Sequence, residues 1–274
     1  MRFAVVQLNT RDDKEANVTT ALALAGRAAE AGADLVALPE SVPWYGGLER
    51  AACFAEPIPG PTVEGFAAIA RQHRIHLLLG SLHERVAGRE RPFNTSVLLD
   101  PAGGVAATYR KIHLFDAPGL ELESAHVSAG SETVVARTEV GRLGLSVCYD
   151  LRFPELYRVL SDQGAEVLLV PSAFTLQTGR DHWETLLRAR AIENLAYVVA
   201  PNQWGPHPPD KRSYGHSMIV DPWGTLLCRV PDGEGFACAE VDLQRVARAR
   251  GRLQVLRHRR LGPACGGDQA GRSS

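Results

Sequence analysis

Strand-like and helix-like patterns alternate along almost the whole chain, and this alternation limits the fold more than any other feature of the sequence. Short, almost entirely apolar runs predict strands at residues 2–8, 35–38, 75–81, 166–171 and 196–200. Amphipathic segments between them predict helices at residues 14–30, 63–73, 154–164 and 182–194. Near-continuous apolar strands are typical of parallel sheets that are covered on both faces. The sequence therefore predicts an α/β protein.

Hairpin signals interrupt this series. Turn sequences separate paired apolar runs within residues 96–109, 133–147 and 217–230, and a last strand is predicted at residues 236–241. Neither a glycine-rich dinucleotide fingerprint nor a P-loop occurs in the sequence. Hairpins mixed with parallel units favour two mixed β-sheets packed face to face, with helices outside, over a Rossmann sheet.

The composition changes only near the end of the sequence, so we expect one domain at residues 1–261 and a disordered tail at residues 262–274. A formal net charge of −1 provides no general attraction to nucleic acid or to anionic membranes. No apolar run approaches the roughly 20 residues that a membrane span needs. We interpret the arginines crowded between residues 245 and 260 as a solvated or subunit-contacting face rather than a nucleic-acid site.

The cysteines also bear on the cellular setting. The chain has 5 of them without a CxxC pair, which disfavours a zinc ribbon or a dithiol redox motif. The N-terminal stretch turns polar too early for a signal peptide. We therefore expect free thiols in a reducing, cytoplasmic setting, and no metal site or cofactor.

Three residues of different chemistry follow predicted strands: Glu40, Lys111 and Cys148. In α/β enzymes, reactive groups gather at the carboxyl ends of strands. A thiol is mostly protonated at neutral pH, so a cysteine nucleophile needs a base, and the oxyanion that it creates needs a positively charged donor. Each residue alone would more often be structural. Together they predict a nucleophile, its base and its anion stabiliser.

Five sequence blocks extend this pattern, at residues 38–40, 109–116, 123–124, 148–155 and 171–174. In these blocks the chain resembles the nitrilase superfamily of carbon–nitrogen hydrolases, from residue 1 to about residue 261. The resemblance implies a four-layer αββα sandwich and a catalytic triad of Glu40, Lys111 and Cys148. It also implies that the backbone N–H of Tyr149 helps Lys111 to stabilise the oxyanion.

A second glutamate recurs near the active site in that superfamily. Its match here is Glu123, which would hold Lys111 in place or orient the substrate. Glu121 is a competitor for this role, and spacing alone does not separate the two.

The segments after the nucleophile look most like the Nit branch, in particular its amidases that hydrolyse deaminated glutathione; sister enzymes act on small ω-amides such as α-ketoglutaramate. These substrates are anionic, so cations or helix N-termini are expected in the pocket. The candidates for substrate contact are Arg152, Thr175, Thr178, Gly179 and Asn202.

Arg152 has a structural alternative, a salt bridge with Glu155 or Glu184. Glu184 is a further candidate, for positioning the surroundings of the nucleophile. Its structural alternative is a charge on the helix surface, and its position four residues before Arg188 on a predicted helix favours an ion pair.

The leading hypothesis is a cysteine-dependent amidase that acts through a thioester on a small carboxylated amide. An N-carbamoyl amino acid hydrolase or a nitrilase on the same fold is the alternative within the superfamily. A non-catalytic interaction protein that retains the scaffold is the alternative outside enzymology. A homodimer or higher homo-oligomer is expected by resemblance.

Overall fold

The computed structural model describes residues 1–117 and 122–261. Glu121 and the predicted tail, with Cys265, therefore lie outside the described residues. The helices are α1 (Lys14–Glu30), α2 (Pro61–His73), α3 (Glu123–His126), α4 (Pro154–Asp162), α5 (Leu176–Asn194) and α6 (Leu243–Arg252). Two 3₁₀ segments lie at Leu48–Phe54 and Cys148–Arg152.

The strands fall into two six-stranded sheets and one separate hairpin. They are β1 (Arg2–Gln7), β2 (Leu35–Ala37), β3 (His76–Glu84), β4 (Phe93–Leu99), β5 (Val105–Arg110), β6 (Val135–Thr138), β7 (Gly141–Leu145), β8 (Val167–Leu169), β9 (Tyr197–Ala200), β10 (Trp204–His207), β11 (Lys211–Tyr214), β12 (Met218–Val220), β13 (Leu226–Arg229) and β14 (Gly235–Glu240). The first sheet has the order β14-β1-β2-β3-β4-β5, and the second has the order β13-β12-β9-β8-β7-β6. In each sheet the middle strands are parallel (β1, β2 and β3; β7, β8 and β9), and the flanking pairs are antiparallel.

Alternation along the strands divides the apolar core into layers. Phe3 and Val5 of β1 belong to a cluster shared by the two sheets, whereas Ala4 and Val6, on the opposite face, pack with residues of α1 and α2. Trp183 of α5 belongs to a third cluster, between the second sheet and helices α4 and α5. Because successive side chains of a strand point to opposite faces, each sheet is covered on both sides. This arrangement confirms the predicted four-layer αββα sandwich.

Two strands extend further than the sequence pattern indicated. The strand predicted to end at residue 81 continues to Glu84, and the next begins at Phe93 rather than at residue 96. Polar residues break the apolar pattern there, although they are buried. Glu84 is satisfied by Thr95 and Arg110, each at 2.7 Å, which explains how a carboxylate can occupy a covered strand.

Helix α5 also differs from its prediction, since it begins at Leu176 instead of residue 182. In a sequence, a glycine at this place indicates a loop rather than the first turn of a helix. Here Gly179 allows the first turn to approach β11, because a Cβ at this position would lie 2.3 Å from the Cβ of Tyr214. The hairpin of β10 and β11, in a proline-rich stretch, was not predicted. Across the described residues, none of the helices is both long enough and apolar enough to span a membrane.

Candidate functional site

The three predicted strand-end residues converge where the two sheets meet. Glu40 follows β2 and Lys111 follows β5, both in the first sheet, whereas Cys148 follows β7 in the second. Glu40 and Lys111 have only 5% and 2% of their surface exposed. The Glu40 carboxylate and the Cys148 thiol are hydrogen-bonded, and the Lys111 Nζ lies 3.1 Å from Glu40 Oε1.

Glu123 completes the polar cluster from the short helix α3. Its Oε2 lies 2.8 Å from the Lys111 Nζ and also accepts a hydrogen bond from the Phe115 N–H at 2.7 Å. The Lys111 ammonium is therefore held between two buried carboxylates, those of Glu40 and Glu123. The competing residue, Glu121, is outside the described residues.

Asn94 is a member of this cluster that sequence reasoning missed. Its Nδ2 donates to Glu40 Oε1 at 2.8 Å and to Glu123 Oε1 at 3.2 Å. Its backbone carbonyl accepts from the Lys111 N–H at 2.9 Å. The available signal was a polar residue inside an otherwise buried run on β4, where an unpaired amide would be costly.

Glu40 is also bound by the segments that follow β8 and β9 of the second sheet. Glu40 Oε2 accepts from the Ala173 N–H at 2.8 Å, and the Glu40 carbonyl accepts from Gln203 Nε2 at 2.8 Å. The nucleophile candidate is fixed on the same side, since the Cys148 N–H donates to the Pro171 carbonyl at 2.9 Å. Cys148 has a φ of 49°, a left-handed conformation that is uncommon for a residue other than glycine. Such strained residues cluster at functional sites.

The electrostatics of the cluster favour a neutral thiol beside an ionised carboxylate. Burial raises the pKa of Cys148 well above its usual value, and the adjacent Glu40 charge adds to this. Burial would also raise the pKa of Glu40, but the Lys111 charge and hydrogen bonds from Cys148, Lys111 and Asn94 outweigh it and hold that pKa below its usual value. Burial alone would lower the pKa of Lys111. The charges of Glu123 and Glu40 outweigh this effect and raise that pKa well above its usual value.

The loop after Glu40 adds an aromatic residue that the sequence did not indicate. Burial and the charge of Glu40 raise the pKa of Tyr45, so its hydroxyl stays protonated at neutral pH. The ring of Tyr45 lies 4.6 Å from that of His207, and the Lys211 Nζ lies 5.4 Å from its centre. Burial lowers the pKa of His83 to about 4, which keeps a second nearby imidazole uncharged at neutral pH.

Arg152 ends the 3₁₀ turn that begins with Cys148. Its guanidinium lies over the rings of Tyr149 and Phe174, at 5.9 Å and 4.9 Å, and its Nη1 is 3.2 Å from His182 Nδ1. Glu184, one of the alternative partners, is instead paired with Arg188 at 3.7 Å, the ion pair that its spacing indicated. Arg152 is thus placed by aromatic packing on the rim of the nucleophile turn.

The other predicted substrate-contact residues differ in how many of their polar atoms already form hydrogen bonds within the protein. The Thr175 and Thr178 hydroxyls are 2.7 Å apart at the start of α5 and are partly exposed. Asn202 is fully buried, and its amide accepts from the Phe174 N–H at 2.9 Å and donates to the Gly215 carbonyl at 2.7 Å. With both ends of the amide bonded to backbone, the geometry does not support substrate contact by Asn202, which instead orders the segment beside Ala173.

A half-buried thiol beside a carboxylate, with an ammonium in contact with that carboxylate, is suited to nucleophilic attack on a carbonyl-like carbon. The sequence model of the carbon–nitrogen hydrolase family matches residues 2–251. The chain therefore belongs to the carbon–nitrogen hydrolase family, as a hydrolase of C–N bonds other than peptide bonds. In the described part of the chain, no group of three or more His, Cys, Asp or Glu side chains is arranged to hold a metal ion.

Comparison with individual relatives indicates which kind of C–N hydrolase this chain is. The chain is 41% identical over 263 residues to a deaminated glutathione amidase of Synechocystis sp., covering 93% of this chain and 97% of that one. The solved structure of the Caenorhabditis elegans NitFhit protein is 41% identical with a TM-score of 0.88, over 94% of this chain and 65% of that one. A glutamate-to-glutamine mutant of the amidase from Nesterenkonia sp. AN1 is 29% identical with a TM-score of 0.79, covering 90% of this chain and 92% of that one. That structure carries the acetamide moiety of fluoroacetamide on its active-site cysteine. Together these findings make the chain a cysteine-dependent amidase.

Proposed function

We propose that this amidase hydrolyses a small carboxylated amide, either deaminated glutathione or a related ω-amide, through a thioester on Cys148. The observation that carries the proposal is the direct contact of the Cys148 thiol with Glu40, which is itself in contact with Lys111. The similarity to a deaminated glutathione amidase over nearly the full chain supports the substrate class.

In the proposed acylation step, the Cys148 sulfur attacks the amide carbon while its proton passes to Glu40. The carbonyl π bond opens, and the negative oxygen is stabilised by Lys111 and by the backbone N–H of Tyr149. The tetrahedral adduct then collapses: the C–N bond breaks, and Glu40 returns the proton to the departing nitrogen. The products of this step are an acyl-thioester and ammonia or an amine.

In the proposed deacylation step, Glu40 takes a proton from water, and the resulting hydroxide attacks the thioester. Cleavage of the C–S bond releases the carboxylic acid and regenerates the Cys148 thiol with the proton held by Glu40. The lowered pKa of Glu40 keeps it ionised and ready to act as a base in each half-reaction. Glu123 holds the Lys111 ammonium in place, and Asn94 orients the Glu40 and Glu123 carboxylates that contact it.

Charge balance bears on where the substrate carboxylate is held. Glu40 and Glu123 place two negative charges beside one positive charge, so a substrate carboxylate is repelled from the cluster itself. Arg152 lies at the end of the nucleophile turn and is bound through its aromatic neighbours and His182. We therefore assign the recognition of the substrate carboxylate to Arg152, with the Thr175 and Thr178 hydroxyls as further contacts.

A substrate panel tests this assignment. Purified protein is incubated with deaminated glutathione, α-ketoglutaramate, N-carbamoyl-β-alanine and a simple nitrile, and the amine, ammonia and acid products are measured by mass spectrometry. We expect turnover of one or both of the first two compounds. Turnover of only the last two would replace the proposal by a carbamoylase or a nitrilase, and no turnover of any would favour the non-catalytic alternative.

The same panel is used to test Arg152. Since a hydrogen bond to a charged group contributes about 1.5–3 kcal/mol, Arg152→Ala is expected to raise KM for the anionic amide by about 10- to 100-fold. A neutral amide should be affected far less, and kcat should change little. Arg142→Ala is the control, because Arg142 pairs with Glu166 at the opposite end of β7. Equal losses on charged and neutral amides would contradict carboxylate recognition.

The homodimer also remains a proposal, and an exposed apolar face supports it. Ile192, Trp223, Leu253 and Val255 line an open cavity of about 440 Å³, and the first three are 47–48% exposed. Apolar patches of this kind mark interaction surfaces. We expect a dimer in sedimentation equilibrium and dissociation in the double variant Ile192→Glu and Trp223→Glu; a dimer that survives both changes would place the interface elsewhere.

The cytoplasmic setting stays a sequence prediction, which cell fractionation would check.

A further inference from the structure

Asp150 is a fully buried carboxylate, two residues after Cys148, that accepts hydrogen bonds from both sides of the site. Its Oδ2 accepts from the Val147 N–H at 2.8 Å and from the Tyr109 hydroxyl at 2.7 Å. Its Oδ1 is 3.1 Å from the His113 backbone nitrogen and 2.7 Å from His113 Nδ1. Both oxygens therefore have two partners each, and none of these partners is Cys148, Glu40 or Lys111.

The positions of these donors relate Asp150 to two other residues. Val147 immediately precedes Cys148, so its bond to Asp150 closes a short loop around the nucleophile. Tyr109 and His113 stand two residues before and two residues after Lys111. One carboxylate thus joins the turn that carries the thiol to the two flanks of the residue that carries the ammonium.

Further contacts stiffen this connection. The Ile112 N–H donates to the Tyr109 hydroxyl at 3.4 Å, beside Lys111. The His113 ring stacks on Phe153 with 3.7 Å between ring centres and 6° between planes, and the Phe153 N–H donates to the Asp150 carbonyl at 2.9 Å. The strained φ of Cys148 persists only where its surroundings hold it, and the Asp150 bonds span that residue.

We propose that Asp150 is a positioning residue that fixes the Cys148 thiol relative to the Lys111 ammonium, so that the oxyanion forms within reach of Lys111. This role rests on the proposed function, because it presumes attack by Cys148 and stabilisation by Lys111. Asp150 exchanges no proton with the substrate. It acts through backbone and side-chain groups on either side of the two residues that do the chemistry.

A double-mutant cycle separates positioning from a purely structural role. The rate of Cys148 acylation by p-nitrophenyl acetate is measured by intact-mass spectrometry in single turnover, for the Asp150→Asn and Lys111→Ala variants and their combination. Asparagine keeps the size of the side chain but replaces one acceptor oxygen by a donor. We expect Asp150→Asn to slow acylation by about 10- to 100-fold when Lys111 is present, and by less than about 3-fold when it is absent, because residues that act as a unit are non-additive.

Two further variants complete the experiment. Tyr109→Phe removes one hydroxyl from a buried ring without changing its shape, and it should show the same coupling with a smaller loss, which also covers the case that Asp150→Asn does not fold. Asp221→Asn is the matched control: Asp221 is also buried and accepts from the Trp223 and Thr225 N–H groups at 2.8 Å and 2.9 Å, in the turn between β12 and β13. It should lower Tm without slowing acylation.

Equal fold-losses with and without Lys111, for both Asp150→Asn and Tyr109→Phe, would overturn the positioning role and leave the proposed function intact. Failure of the proposed function has a different signature: Lys111→Ala alone would then acylate at the wild-type rate, or the adduct would be found on a residue other than Cys148.

Discussion

Glu40→Gln is expected to reduce turnover of the amide by about 10³-fold, within the range that general acid–base catalysis contributes. Glutamine cannot accept the thiol proton, return it to the leaving nitrogen or activate water. It also replaces one carboxylate oxygen by an NH₂ group, which would face donors such as the Ala173 N–H or the Lys111 ammonium. Steady-state product formation measures the loss.

The variant should nevertheless retain a reactive sulfur. Removing the Glu40 charge takes away one of the causes that raise the pKa of Cys148, so the thiol should still be alkylated by fluoroacetamide, as intact-mass spectrometry can follow. Glu56→Gln is the matched control, because Glu56 is a buried glutamate paired with Lys14 outside the site. Turnover within tenfold of wild type in Glu40→Gln would rule out its role as the base.

Lys111→Met is expected to lower kcat/KM by about 10²- to 10³-fold, the usual cost of losing one oxyanion donor. It should also destabilise the fold, since removing one partner of a buried ion pair typically costs about 3–5 kcal/mol. Glu40 and Glu123 would then be two buried carboxylates without their cation. Urea unfolding at neutral pH measures this change in the free energy of unfolding.

The pH dependence of that loss has a definite sign. In the wild type the pKa of Glu40 is lowered, so its contribution to stability is present above the unfolded pKa and disappears as the pH falls through the folded value. Without Lys111, burial and the neighbouring carboxylate raise that pKa, and stability is lost as the pH rises through it. The difference between wild type and variant should therefore grow between about pH 5.5 and pH 8.

Lys14→Met serves as the control for both measurements. Its ammonium also pairs with a buried carboxylate, that of Glu56, but its side chain is 31% exposed, so solvent replaces much of the lost interaction. We expect a smaller stability loss and unchanged turnover. An Lys111→Met variant with the same stability difference from wild type at both pH values would show that Lys111 does not set the ionisation of its two carboxylate partners.

The sequence could predict those site residues whose positions depend only on where a strand ends. Glu40, Lys111 and Cys148 each follow a strand, and strand ends are visible in the pattern of apolar residues. Asn94 and Asp150 were missed as site residues because their roles depend on partners far along the chain. Asn94 is 54 residues from Glu40, and Asp150 is 41 residues from Tyr109. Nothing local in the sequence records such a pairing.

The side chains around the catalytic cluster were equally hidden from sequence analysis, because they too come from distant parts of the chain. Tyr45 and Lys211 lie together although one follows β2 and the other belongs to the β10–β11 hairpin, whose prolines concealed its strands. Arg152 was recognised as a cation near the nucleophile, but its aromatic partners and His182 depend on how α5 packs against the turn. Side-chain surroundings of this kind require the tertiary fold.

The division of the site between the two sheets has a consequence for the maturation of the enzyme. In the proposed mechanism the sulfur is carried by one half of the sandwich, and the base and ammonium by the other, so neither half alone would form the thioester. A nascent or partly unfolded chain would carry a cysteine without its activating partners. Recovery of hydrolytic activity during refolding should therefore coincide with docking of the halves rather than with the earlier appearance of secondary structure.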